Sequence, residues 1–172
     1  MLLIVAGLAA GVALAVPSTP ATDGTLSVKR GEGTFLIDVR GVVIGRMLRA
    51  EKLYVSIPIS RSCDDLKVWG ADDDSDGPIL ELTAGEPTWL CEFSSDSRIR
   101  FRLSGQLGVE IWHAKRLFLS VAGRGEAFIE GDGGQDGVIS VNGGKERSVP
   151  DKPRTFVLEP DSSALRLPAH AD

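Results

Sequence analysis

Between residues 25 and 158 the chain reads as short apolar runs that alternate with polar positions. Phe35, Ile37 and Val39 fall on one side of a two-residue period, with Leu36, Asp38 and Arg40 on the other. Gly41 and Gly45 then bracket Val42, Val43 and Ile44, which predicts a bulge or a corner. Leu53, Val55, Ile57 and Ile59 alternate with Tyr54, Ser56 and Pro58. Pro58 has no N–H to give to a ladder, so it marks a strand end or an edge. Further strands are predicted at 108–112, 115–121, 126–130, 137–142 and 154–158. No stretch keeps an apolar spacing of about 3.6 residues, so little helix is expected.

The pattern also suggests a hairpin of 88–93 with 98–103 around Ser95-Asp96-Ser97. A three-residue turn would set Phe93 against Ile99, Cys91 against Phe101 and Trp89 against Leu103, leaving Glu92 opposite Arg100. The fold class is therefore all-β: a sandwich or barrel-like domain of about 10–12 short antiparallel strands, with a short β-solenoid as the alternative. One internal echo is visible. Gly31-Glu32-Gly33-Thr34-Phe35-Leu36-Ile37 resembles Gly123-Arg124-Gly125-Glu126-Ala127-Phe128-Ile129, each reading as a Gly-x-Gly turn feeding a strand.

Residues 1–16 carry no charged side chain and are apolar throughout. That run is shorter than the roughly 20 residues needed to span a bilayer, but it suits the h-region of a secretory signal. Small residues allow cleavage after Ala15 or Ala21. A positively charged n-region is missing, so an uncleaved anchor is the other option. The chain divides into a signal or anchor plus linker (1–23), an all-β domain (24–159) and a polar tail (160–172) expected to be disordered.

Composition agrees with a folded β domain. Hydrophobic residues make up 42% of the 172, and 20 are glycine. The net charge of −5 argues against nucleic acid as a partner, because phosphate binding needs clustered cations. Cys63 and Cys91 stand alone, with no C-x-x-C pair, and in an oxidising compartment two such cysteines form a disulfide.

Arg40-Gly41-Val42-Val43-Ile44-Gly45-Arg46, Ile99-Arg100-Phe101-Arg102 and Leu119-Ser120-Val121-Ala122-Gly123-Arg124-Gly125 resemble a family of small exported bacterial proteins without assigned function. The resemblance implies export and β-structure, and it brings no known active site to carry over.

Four features carry candidate chemistry. Asp72, Asp74, Asp76 and Gly77 match the first positions of a D-x-D-x-D-G calcium loop, since hard Ca²⁺ takes six to eight oxygens. Pro78 and Thr83 depart from that pattern, and Glu81 is a substitute ligand only on a different loop path. A second glycine-rich acidic stretch, Glu130–Gly137, reads as a hairpin loop. Arg98, Arg100 and Arg102 form a row able to hold an anionic polymer or lipid head group, or else to pair with Glu81, Glu92 or Glu110. Trp69, Trp89, Trp112 and Tyr54 are candidates for a sugar-stacking platform. Trp112 is expected to be the exposed one and Trp89 to face the core.

Only His113 and His170 serve acid–base chemistry near neutral pH, and no motif ties either to a nucleophile. The expected function is a non-catalytic, exported or envelope-associated β domain that binds a partner, such as an envelope component or polysaccharide, or is structural. A calcium-stabilised module and a carbohydrate-binding or carbohydrate-active protein are the alternatives.

Overall fold

A computed structural model describes residues 23–71, 79–81, 87–94 and 98–159. Among the described residues nine strands make one antiparallel sheet: β1 (Gly24–Met47), β2 (Lys52–Pro58), β3 (Lys67–Trp69), β4 (Ile79–Glu81), β5 (Thr88–Phe93), β6 (Ile99–Gly131), β7 (Val138–Val141), β8 (Arg147–Ser148) and β9 (Arg154–Leu158). The order is β4-β5-β2-β6-β1-β7-β8, with β3 and β9 also paired to β6. Among the described residues the single helical element is one 3-10 turn, Cys63–Asp65, capped by Ser62.

The all-β reading holds, with two corrections. Among the described residues the strands are nine, and two of them are long. Segments read separately at 34–40 and 42–44 belong to β1, and those at 108–112, 115–121 and 126–130 belong to β6. The sheet order ends at β4 and β8, so no barrel closes, and antiparallel pairing throughout is not that of a parallel solenoid.

β1 and β6 organise the sheet. Residues 35–47 of β1 pair with 99–111 of β6, while residues 33–46 pair along their other edge with 118–131. One strand thus lies between two stretches of its partner, and the sheet curls around its own inner face. Phe35, Ile37, Val39, Val43 and Met47 of β1 meet Phe101, Leu103, Val109, Ile111, Leu119 and Ile129 of β6 there, all buried. Every second residue is therefore in the core, as the period of two requires.

Three residues break that period. In β1 the inward side runs through Leu26 and Val28, then shifts to odd positions from Gly31 onward. Lys29 and Arg30 are both exposed at the break, and Arg30 has φ 57°. In β6, His113 (φ 49°) and Arg116 (φ 52°) flank Ala114, the one even-numbered buried side chain in that strand. A residue in the left-handed region inserts an extra step, which is a β-bulge that re-aims the rest of the strand.

Curvature has a second source. Gly105, Gly41, Gly123 and Gly24 are direct partners in sequence across four adjacent strand segments. A Cβ on Gly41 would sit 2.1 Å from the Ala122 carbonyl oxygen, and one on Gly24 would sit 2.3 Å from the Glu159 nitrogen. This row is the corner expected near Gly41, where only bare backbone fits.

The internal echo is structural. Leu36 pairs with Phe128, and Gly33 and Gly125 each precede that pair by three residues. Both glycines have positive φ, 128° and 151°, so the two Gly-x-Gly stretches occupy equivalent places on one ladder. They sit within strands instead of in turns, because the partner strand continues to pair through them.

The 88–93/98–103 hairpin is also corrected. β5 pairs with β2 and β4, setting Cys91 against Val55 and Glu92 against Tyr54. Both arrangements satisfy the alternation, but pairing with β2 buries Cys91 in the common core and brings it to disulfide distance from Cys63, Cα–Cα 5.7 Å. A cross-link over this 28-residue separation stabilises by roughly 3–4 kcal/mol on the chain-entropy model. The Glu130–Gly137 stretch links β6 to β7, which pairs with β1, so it is not a hairpin loop either.

Candidate functional site

The outward face of β3, β6 and β1 carries the arginine row. Arg100 and Arg102 are exposed because Ile99, Phe101 and Leu103 between them are buried. Their cross-strand partners are not carboxylates. Arg100 lies between Trp69 on β3 and Arg46 on β1, and Arg46 pairs in turn with Phe118. The result is a row of four outward side chains, Trp69–Arg100–Arg46–Phe118. The next row outward along the strands is Lys67–Arg102–Ile44–Ser120.

Two cation–cation pairs, Arg46/Arg100 and Arg102/Lys67, are thus directly opposed on neighbouring strands. Like charges in that position repel and weaken the sheet. No carboxylate among the described residues lies within ion-pair distance of any of the four. The expected partners are elsewhere: Glu81 is in β4 opposite Thr88, Glu92 is 3.6 Å from Lys52, and Glu110 stands between Tyr54 and Leu36. Pairing of the row with those glutamates is therefore overturned.

The Arg46 guanidinium lies over the Phe118 ring, 4.5 Å from its centroid. Trp69 at the far end keeps 49% of its surface exposed, and Ile44 keeps 44%. Together with Ser27 and Lys29 these side chains line a shallow groove of about 590 Å³. Lys29 is already matched by an ion pair with Glu146. Arg98 stands apart from this groove, on an adjoining concavity with Leu48, Arg116 and Phe118.

Trp112 does not join the row. It sits ten residues beyond Arg102 on β6, opposite Lys52, and donates its indole N–H to Glu110 at 3.1 Å. Tyr54 is beside it, and the two share a concavity of about 300 Å³ with Glu51, Lys52, Glu110 and His113. Trp89 is half-buried against the core, as expected. The four aromatic residues therefore form no common platform. His113 faces Glu51 at 3.7 Å.

A larger groove, about 780 Å³, lies elsewhere on the outer face and is acidic, with Asp38, Glu81, Glu110 and Glu126 in its lining. Among the described residues no three carboxylate, histidine or cysteine side chains converge as a metal site. The calcium-loop residues Asp72, Asp74 and Asp76 lie outside the described residues.

A polar cluster that the alternation does not flag braces the bulged end of the sheet. Lys115 reaches Asp132 at 2.7 Å and Glu32 at 3.1 Å, and the Gln135 side chain bonds the Glu32 backbone at both its N–H and its carbonyl. These hydrogen bonds, to Asp132 first and then Glu32, raise the Lys115 ammonium above its ordinary value of 10.5. Only the positive φ at Arg30, His113 and Arg116 locates this end, and side-chain type does not announce it.

No protein-family model, curated protein or solved structure matches the chain.

Proposed function

We propose that this chain is an exported, non-catalytic β domain that binds an anionic ligand on the Trp69–Arg100–Arg46–Phe118 face. The observation that carries the reading is the two opposed cation pairs, Arg46/Arg100 and Arg102/Lys67, which have no carboxylate partner among the described residues. An arrangement that costs stability in the free protein is offset once an anion bridges the pair. Guanidinium groups suit the task, because their planar N–H edges meet carboxylate or phosphate oxygens two at a time. Stacking on Phe118 holds one face of Arg46 and leaves that edge free. Export is supported by the uncharged N-terminal segment and by a cysteine pair suited to an oxidising compartment.

The test is a titration with inorganic polyphosphate and with polygalacturonate, followed by tryptophan emission. Binding should weaken with added salt, and Arg46→Ser combined with Arg100→Ser should weaken it by about tenfold or more. Equal affinity in wild type and variant overturns the site. Recovery of the chain solely from the cytoplasmic fraction overturns export.

A further inference from the structure

Resting on that reading, we propose that the anionic ligand is the surface of a bilayer containing acidic lipids, onto which the Trp69–Arg46 face docks. Three observations select a lipid surface over a soluble polymer.

The first is what lies beside the cations. Trp69, Ile44 and, on the adjoining concavity, Leu48 keep 49%, 44% and 46% of their surface exposed. A charged polymer has no use for that apolar area. The interfacial zone of a membrane does, because aromatic and aliphatic side chains settle at head-group level while neighbouring cations meet lipid phosphates.

The second is the chemistry of the groove lining. Apart from Ser27 and Ser120 its side chains among the described residues are cationic or apolar, with no carboxylate or amide. Sugar hydroxyls need acceptors as well as donors, and this groove offers almost only donors. Phosphate oxygens need donors alone.

The third is position. β1 begins at Gly24, and Ser27, Val28 and Lys29 on that strand line the groove. The apolar run ends at Val16, so the seven residues 17–23 separate it from the strand by at most about 25 Å. If that run inserts in a bilayer, the basic face starts within reach of the same surface.

The full chain in vesicles made with brominated lipids tests this directly. Phosphatidylcholine vesicles would be compared with phosphatidylcholine mixed with phosphatidylglycerol, and Trp69→Phe would be run alongside so that the difference is the Trp69 signal. Quenching assigned to Trp69 should be about twofold or more greater with phosphatidylglycerol, and should fall back on adding salt or in Arg46→Ser/Arg100→Ser. Equal quenching in both vesicle types, or none from Trp69, overturns docking. If polyphosphate still binds through the same arginines in that case, the anion-binding reading stands and the membrane alone is refuted. If polyphosphate also fails to bind, both fall. Trp69 is exposed, so its replacement leaves the core untouched.

Discussion

Arg46 and Phe118 are direct partners on neighbouring strand segments, and the guanidinium sits over the ring at 4.5 Å. The contact orients a cation that has no carboxylate partner among the described residues. Replacing Phe118 by Leu keeps an apolar side chain but removes the π-face. Anion affinity, measured by the polyphosphate titration, should fall about two- to fivefold, with the unfolding midpoint nearly unchanged.

The opposed pair Arg46/Arg100 predicts an inverse relation between stability and binding. Arg100→Thr removes the repulsion and places a β-branched residue on a strand, so urea unfolding should show a gain of a few tenths to about 1 kcal/mol. Polyphosphate affinity should drop in the same variant. High salt should shrink the stability gain by screening the repulsion in the wild type.

Gly33 and Gly125 have to remain bare. A Cβ on Gly125 would lie 2.0 Å from the Asp38 carbonyl oxygen, and one on Gly33 would lie 2.2 Å from that of Glu130, each at positive φ. Gly125→Ala and Gly33→Ala should each destabilise by about 2 kcal/mol or more in urea. Gly133→Ala, with nothing within 4 Å of its added carbon, should cost far less.

Lys115 adds a contribution to stability that depends on pH in the alkaline range. Its hydrogen bonds to Asp132 and Glu32 raise its value in the folded protein above 10.5. The folded state thus holds that proton more tightly than the unfolded chain. The stabilisation is fully present below about pH 10.5 and fades as pH climbs through the raised value. Unfolding midpoints of wild type and Lys115→Met should differ by a constant amount near neutral pH, and the difference should close above that point.

Much of the fold is legible in alternation. β2 and β9 fall where the period of two puts them, and the inward set of β6 follows from Ile99, Phe101 and Leu103 separated by arginines. The cysteine partnership is legible too, since only one pairing exists. Strand continuity is not. Gly41 and Gly123 carry the same local signal whether the chain reverses or simply bends, and pairing with a distant strand decides between them. The same limit applies to Cys91. Its alternation is satisfied against Phe101 or against Val55, and burial with β2 selects the second. The arginine row is visible in the sequence, but its neighbours Arg46, Lys67 and Trp69 come from strands at separations no local pattern encodes. Sequence pattern therefore points to glutamates where cations stand.

The functional reading turns on whether opposed cations flanked by Trp69 and Phe118 hold an anion. Backbone amide shifts of isotope-labelled protein, followed by NMR during a polyphosphate titration, report on it residue by residue. Perturbations should concentrate at 27–29, 44–46, 67–69, 100–102 and 118–120, the strand segments lining that face. Perturbations centred on Trp112 and Tyr54, or none on the face at saturating ligand, would refute anion binding there.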